Sequence, residues 1–180
     1  IAHIYCEEMF GVVGENVTFP GKRGEKVMDI RWTKDKHKVA EWEEQNKPNY
    51  FGQYHDRSVL MDDGSLTIIN LMKADTGTYE LSYLHFGADH HLDFQLEVFD
   101  SFPEPKISCN TSSDNLVLDC TADFQRPLNY TWKLSNGWSD WRQNLFISLE
   151  KVNRTMQATC IIKLAQIERS SEISLNQCFP

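Results

Sequence analysis

The chain has 180 residues, of which 41% are hydrophobic and 24% are charged, and its formal net charge is −8. This length allows one large domain or two domains of about ninety residues, each able to bury a core. The acidic balance argues against nucleic acid as a partner, because phosphate binding requires a basic surface. No run approaches the roughly 18 apolar residues of a membrane-spanning helix, so any membrane contact is expected through an anchor outside this chain.

Charge and cysteine content both divide the chain into two parts. Residues 1–100 contain 10 Lys and Arg against 18 Asp and Glu, whereas residues 101–180 contain 8 of each. Four of the five cysteines lie in the second part, without the spacing of zinc ligands. They allow three disulfide connectivities, of which the spacing most favours Cys109–Cys178 with Cys120–Cys160.

Four Asn-x-Ser/Thr sequons, together with this cysteine pattern, predict a secreted or cell-surface glycoprotein. The sequons begin at Asn16, Asn110, Asn129 and Asn153. The fifth cysteine, Cys6, closes an apolar segment, residues 1–6, which is interpreted either as the end of a signal peptide or as a remnant of expression. In both cases Cys6 is expected to have no partner within its own domain.

Residues 7–100 show the short alternating runs and turn signals of a two-sheet β-sandwich. The predicted strands are Asn16–Phe19, Met28–Thr33, Val39–Glu43, Arg57–Met61, Ser65–Leu71, Gly77–Leu84 and Leu92–Phe99. Trp32 is placed as the buried tryptophan of the third strand, and Tyr79 ends the DxGxY turn that begins at Asp75. Arg57 is expected to pair with Asp75. These features predict an immunoglobulin-type variable domain.

The expected disulfide of such a domain is missing. Leu81 occupies one cysteine position, and Gly21 lies near the other. We therefore expect the first core to depend on apolar packing alone, without the roughly 2–4 kcal/mol of a cross-link.

Residues 101–105 form a short linker stiffened by two prolines, and residues 106–180 form the second domain. Trp132 follows Cys120 by twelve residues, as expected for a disulfide packed on a tryptophan. The predicted fold is all-β, with two tandem immunoglobulin-like sandwiches: a variable-type domain without an intersheet disulfide, then a constant-type domain with two disulfides. Trp138 and Trp141 are interpreted as a loop packed against its own sandwich.

Residues 29–43 predict two adjacent antiparallel strands with a charged outer surface. Ile30 and Trp32 face inward in the first strand, and Ala40 and Trp42 face inward in the second, which leaves Val39 on the outer side with the acidic residues. Such charges could simply keep a sheet face soluble. The alternative is a binding surface.

This organisation resembles the immunoglobulin-superfamily adhesion and signalling receptors related to signalling lymphocytic activation molecule. The resemblance is carried by Gly11–Val13, Asn16–Phe19, Trp32, Lys36–Glu43, Gly64–Ile68, Asn70–Leu71 and the four cysteines of the second domain. It implies a cell-surface adhesion ligand, the ectodomain of a membrane-anchored protein. Its N-terminal domain would bind, face to face, the immunoglobulin-superfamily receptor by which T cells and natural killer cells form rosettes with erythrocytes. The implied activity is cell–cell adhesion and lymphocyte costimulation.

By position, the resemblance implies a set of partner-binding residues on one exposed sheet. They are Asp29, Lys34, Lys36, Lys38, Glu41, Glu43, Phe51 and Asp93. Thr33 and Asp93 stand where the family has lysines, which alters the charge pattern offered to a partner. The alternatives are a self-associating or other-partner member of the same family, or a soluble or pathogen-encoded decoy. The second domain, with three sequons, is interpreted as a spacer.

No catalytic motif is present: the chain has no Gly-rich phosphate loop, no GxSxG and no HExxH. We therefore predict a protein that is not an enzyme and needs no cofactor. Three histidines, His85, His90 and His91, lie close to Asp89 and Asp93, which raises the possibility of a zinc site. A polar hairpin tip without metal is the preferred interpretation, with a weak pH dependence of binding, because histidines gain charge near pH 6.

Overall fold

The computed structural model describes residues 6–43 and 46–179. They form two compact units, which are divided between Ser101 and Phe102. Within the described ranges the secondary structure consists of β-strands and short 3-10 helices, which confirms the all-β prediction. No helix in these ranges is long and apolar enough to cross a membrane.

The described part of the first unit contains nine strands in two sheets. The larger sheet has the order β1-β9-β8-β3-β4-β5, and the smaller has the order β2-β7-β6. β1 runs parallel to β9, and the other pairs are antiparallel. The strands are β1 Cys6–Val12, β2 Val17–Phe19, β3 Met28–Lys34, β4 His37–Trp42, β5 Asn49–Tyr50, β6 Ser58–Leu60, β7 Leu66–Ile68, β8 Gly77–His85 and β9 Ala88–Phe99.

Aromatic packing holds the two sheets of this unit together where a disulfide would otherwise lie. Trp32, Tyr79 and Phe19 are fully buried. The Phe19 ring centroid lies 5.3 Å from that of Trp32, 4.7 Å from that of Tyr79 and 5.5 Å from that of Phe94. Close aromatic pairs of this kind contribute about 0.5–1.5 kcal/mol each beyond the area they bury.

Gly21 does not lie in the core position suggested by its spacing. A Cβ atom on Gly21 would come within 2.3 Å of the Asp63 carbonyl oxygen and within 2.5 Å of the Ser65 nitrogen. The glycine is therefore required by the close approach of two backbones. Phe19, at the end of β2, supplies the ring that meets Trp32, while Leu81 is buried as predicted.

The turn before β8 has the predicted ion pair and tyrosine contact. The Arg57 guanidinium lies 2.5 Å from the Asp75 carboxylate, which is fully buried. Asp75 also accepts a hydrogen bond from the Met72 backbone N–H at 2.8 Å. The Tyr79 hydroxyl donates to the Asp75 carbonyl at 2.6 Å. Together these bonds tie the 3-10 turn Lys73–Asp75 to the start of β8.

Two local features differ from the sequence-based expectations. Cys6 is the first residue of β1 rather than part of a separate leader, and residues 1–5 lie outside the described residues. As expected, Cys6 forms no disulfide with any described residue, and it is exposed. Val39 is buried instead of outward-facing, because the β3–β4 register shifts between Trp32 and Thr33. One additional residue in a ladder reverses the side of its neighbours.

In the second unit, residues 102–179 are described and contain seven strands in two sheets, ordered β10-β11-β14 and β13-β12-β15-β16. Its two disulfides join Cys109 to Cys178 and Cys120 to Cys160, and Trp132 is fully buried in the same core. The strands are β10 Lys106–Ser112, β11 Asn115–Thr121, β12 Asn129–Leu134, β13 Ser139–Asp140, β14 Asn144–Ser148, β15 Gln157–Leu164 and β16 Ile167–Ser174.

Candidate binding face of the first unit

The outer side of the larger sheet carries two rows of polar side chains that run across the strands. In the first row, Thr33 on β3 lies opposite Lys38 on β4 and opposite Glu80 on β8, and Glu80 lies opposite Asp93 on β9. Directly opposed residues of antiparallel strands project to the same side. Four strands therefore present this row on one surface.

The second row lies one step along the strands. Arg31 on β3 is opposite Glu41 on β4 and Ser82 on β8, and Ser82 is opposite His91 on β9. On the far side, Glu41 is opposite Asn49 on β5. The inward neighbours Trp32 and Ile30 are buried, so the alternation within β3 is regular here.

We call the charged part of these rows, with the turn residue next to them, the charged face. It consists of Arg31, Lys36, Lys38, Glu41, Glu80 and Asp93. Four of these six were among the residues implied by the resemblance. Arg31 and Glu80 were not.

The hairpin between β3 and β4 holds Lys36 over the first row. Asp35 and Lys36 both have positive φ, 47° and 72°, as a two-residue type I′ turn requires. The Asp35 carboxylate accepts a hydrogen bond from the Thr78 N–H at 3.0 Å, and the Asp35 N–H donates to the Thr78 carbonyl at 2.9 Å. These bonds fix the turn to β8, and with it the direction of Lys36.

Lys36 forms an ion pair with Glu80 of the first row. Its Nζ lies 2.7 Å from Glu80 Oε1. The hydrogen bond and the negative charge of Glu80, with a smaller effect of Asp93, raise the pKa of Lys36 above its ordinary value. Exposed pairs of this kind contribute little to stability, so this pair mainly fixes the position of the two charges.

Lys38 links the charged face to an aromatic ring. Its Nζ lies 2.6 Å from Glu41 Oε1 and 5.4 Å from the centroid of the Phe51 ring. Phe51 is half-buried, and its backbone N–H donates to the Val39 carbonyl at 3.0 Å. The same Glu41 oxygen is 3.8 Å from Arg31 Nε, so the Glu41 carboxylate forms ion pairs with both Lys38 and Arg31.

Asp29 and Glu43 lie at one edge of the charged face. Both are exposed, and they line a shallow depression together with Arg31 and Glu41. Asp29 has φ of 50° and sits where the β3–β8 register shifts between Met28 and Arg31. This irregularity separates Asp29 from the two rows while leaving it on their border.

Lys34 does not lie on the charged face. It is opposite Tyr79 on β8, whose side chain is buried on the inner side of the sheet. The Lys34 amino group donates instead to the Ala74 carbonyl. The predicted β3 ended at Thr33, whereas the strand continues through Lys34, and alternation then sends this side chain to the opposite side.

The centre of the first row contains a hydroxyl without a partner. Thr33 Oγ1 is buried and has no hydrogen-bond partner among the described residues. Lys38 and Glu80, its two cross-strand neighbours, carry the charges on either side of it. Thr33 thus places a small polar group between these two charges, at the middle of the surface.

The histidine-rich end of the β8–β9 hairpin forms contacts without a metal cluster. His85 Nε2 lies 2.7 Å from Glu25 Oε2, and the His90 ring stacks on Tyr83 with centroids 5.1 Å apart. Within the described ranges, no three His, Cys, Asp or Glu side chains are arranged to hold a metal ion.

Comparison with known proteins gives one sequence relative and a structural likeness. The chain is 31% identical over 118 residues to human lymphocyte function-associated antigen 3. The match covers 64% of this chain and 46% of that protein, so the chain spans about half the length of the relative. No protein-family model matches the chain.

The solved structure of the CD2-binding domain of CD58, which is lymphocyte function-associated antigen 3, has the same fold. It aligns with a TM-score of 0.52 and 22% identity, covering 94% of this chain and 97% of that one. The chain is thus homologous to human CD58 and has an immunoglobulin-like fold. These relatives are not enzymes, in agreement with the sequence-based prediction for this chain.

Proposed function

We propose that this chain is the ectodomain of a cell-surface adhesion ligand whose first unit binds an immunoglobulin-superfamily receptor through the charged face. The solved relative is named as a CD2-binding domain, so CD2 on T cells and natural killer cells is the receptor to test first. Adhesion and costimulation of these cells would follow from that contact. In this proposal the first unit is a variable-type domain and the second a constant-type spacer.

The observation that carries the proposal is the ordered polar surface across four strands. Flat mixed-charge surfaces select the orientation and identity of a partner more than they raise affinity. The single half-buried ring of Phe51, beside Lys38, is the kind of aromatic anchor that supplies much of the binding energy in an interface. A sheet face that served solubility alone would need neither feature.

The charges are segregated along the sheet, which constrains the partner. Arg31, Lys36 and Lys38 lie on β3, β4 and their connecting turn, whereas Glu80 and Asp93 lie on β8 and β9. Glu41 is the one acidic residue of the charged face on β4, and its side chain is only 14% exposed. A complementary receptor therefore presents acidic groups opposite β3 and β4, and basic groups opposite β8 and β9. Reversing this order would place like charges together, at a cost of several kcal/mol.

Sugar attachment is compatible with this contact. Asn16, the sequon of the first unit, precedes β2 in the smaller sheet, and its Oδ1 accepts a hydrogen bond from the Asn70 N–H at 3.1 Å. Asn16 is exposed and adjoins the smaller sheet, whereas the charged face lies on the larger one. The remaining sequons, Asn110, Asn129 and Asn153, belong to the second unit, and sugars on them favour a spacer role for it.

The test measures binding of the whole chain to immobilised CD2 by surface plasmon resonance. K36E, K38E and F51A each alter the charged face or its aromatic neighbour, and we expect each to weaken binding by roughly ten-fold or more, about 1.4 kcal/mol. K34E is the matched control. It changes net charge by the same amount as K36E, but Lys34 points to the other side of the sheet.

We expect K34E to change the dissociation constant by less than about three-fold, since long-range charge effects act mainly on association and are screened by salt. Unchanged melting temperatures would show that the variants fold. The proposal is wrong if K36E and K38E bind CD2 as well as the unaltered chain does, or if K34E weakens binding as much as they do.

A further inference from the structure

The second unit presents a large exposed ring on the outer side of its four-stranded sheet. Trp141 directly follows β13, and 83% of its surface is exposed. The sequence-based expectation that this loop packs on its own sandwich is therefore wrong for Trp141. An indole in water forgoes the free energy of burying its apolar surface, and this one faces a groove that contains a sequon.

The groove has a volume of about 880 Å³ and is lined by Trp141 together with Asn129 and Thr131. These two are the first and third residues of the sequon. Between them, Tyr130 belongs to the inner side, and Trp132 after Thr131 is fully buried. Asn129 and Thr131 therefore both project outward from β12.

Strand register brings the sequon and the ring together. Trp132 lies opposite Asp140 in the β12–β13 ladder, so the next position along the ladder places Trp141 beside Thr131. The backbone positions of Trp141 and Asn129 are then separated by one strand spacing and two residues along the strand. With a spacing of ~4.8 Å and a rise of ~3.4 Å per residue, this distance is about 8 Å. A sugar attached to Asn129 reaches that far.

We propose that this groove holds the innermost sugars of an N-glycan on Asn129, with N-acetylglucosamine stacked on the Trp141 ring. In the attachment step the Asn129 amide nitrogen loses a proton and bonds to the anomeric carbon of a lipid-pyrophosphate-linked oligosaccharide. The lipid pyrophosphate is the leaving group. The apolar C–H face of the sugar ring then covers the indole, whose faces are apolar and carry partial negative charge.

Polar groups at the groove match the hydroxyls of a sugar. Lys163 on β15 and Glu168 on β16 lie opposite each other in the ladder, and both line the groove with Lys133. Ligand sites combine an apolar surface with a few such convergent polar groups. Charged residues are depleted at the core of protein interfaces, which favours a carbohydrate over a protein as the occupant.

Covalent attachment removes most of the cost of this contact. A tethered group has an effective concentration in the millimolar range, so a stacking contact whose dissociation constant lies below that range is mostly formed. A free sugar of the same affinity would leave the groove empty at ordinary concentrations. The tether is thus what allows a shallow groove to be occupied.

The other sheet of the second unit has a similar juxtaposition. Asn110 on β10 lies opposite Val117 on β11, and Val117 lies opposite Phe146 on β14. Phe146 is 59% exposed. A second sequon therefore shares an outward row with a second exposed aromatic ring, as expected if sugars rather than protein cover these surfaces.

The experiment uses the whole chain, expressed in cells that attach N-glycans and carrying W138F, since Trp138 is the other strongly exposed tryptophan among the described residues. Quenching of tryptophan fluorescence by iodide then reports mainly on Trp141. T131A and N129Q remove the sequon, and T131S keeps it. We expect several-fold weaker quenching in the glycosylated parent and in T131S than in T131A and N129Q.

Trimming the glycan to its first N-acetylglucosamine should preserve the protection, whereas complete enzymatic removal should abolish it. The proposal is overturned if quenching is equal with and without the sequon, or if mass spectrometry finds Asn129 without sugar. It is also overturned if protection persists in T131A, because another part of the protein or a second copy would then cover Trp141. Receptor binding by the first unit is a separate measurement and decides none of these outcomes.

Discussion

The buried ion pair between Arg57 and Asp75 offers the sharpest test of how the first unit is stabilised without a disulfide. Asp75 is fully buried, and the Arg57 side chain that neutralises it is 19% exposed. Replacing Arg57 by methionine keeps the aliphatic length but leaves a carboxylate buried without its counter-charge. Such a loss costs about 3–5 kcal/mol, or a fall of roughly 12–40 °C in melting temperature for a domain of this size.

Replacing Asp75 by asparagine should cost less. The amide oxygen can still accept the Met72 hydrogen bond, and Arg57 retains partial contact with water, so we expect a loss of about 1–3 kcal/mol. The double variant R57M/D75N should be more stable than R57M alone, because it contains no unpaired buried charge. A second substitution would then recover stability lost by the first.

Calorimetry of the whole chain measures the differences in unfolding free energy between these variants. The unfolding transition of the second unit, which contains both disulfides, serves as an internal reference. The reasoning is refuted if R57M lies within about 1 kcal/mol of the unaltered chain, since a buried pair broken on one side should cost several times more. It is also refuted if the two single effects simply add in the double variant, because that would mean no coupling between Arg57 and Asp75.

Two further predictions concern titration and self-association. Burial raises the pKa of Tyr79 and of Tyr54 above the ordinary tyrosine value, so their contribution to stability is fully present below pH ~10 and is lost as the pH rises beyond it. Ultraviolet titration should therefore show these tyrosines ionising together with unfolding. Ionisation of every tyrosine near pH ~10 in a chain that stays folded would contradict this prediction. The chain has a net charge of −8, and we expect sedimentation at high concentration to show a monomer; a dimer that K36E abolishes would support the self-associating alternative.

Much of the fold follows from the sequence because its landmarks depend on local chemistry. Trp32, the Asp75–Tyr79 turn and the cysteine spacing of the second unit each require a particular neighbour, and those neighbours are present in the structure. β1 and β5 were not predicted. β1 contains adjacent buried residues rather than alternating ones, and β5 has two residues only, so neither has a usable period.

The charged face could be predicted in part. Glu41 follows from alternation with Trp42, and Asp93 follows from alternation with Phe94 on β9. Glu80 and Arg31 have the same signal, since each flanks a buried core residue on its strand. The resemblance implied neither of them. Pairing partners such as Glu80 and Lys36 are 44 residues apart, and alternation alone does not give the register that joins them.

Lys34, Lys36 and Lys38 show how one turn decides which charges reach a partner. Their spacing of two suggests a single stripe, but a hairpin of two residues interrupts it after Lys34. Since β3 includes Lys34, the alternation that places Trp32 on the inner side of the sheet places Lys34 on the inner side as well. On β4, the register shift at Val39 places Lys38 on the outer side. Arg31 supplies the positive charge that Lys34 does not. The basic groups of the charged face therefore lie over β3 and β4, beside the acidic groups of β8 and β9 on the same side of the sheet. A receptor that matches this order can dock in one orientation, because rotation by half a turn would bring Glu80 and Asp93 against its acidic groups.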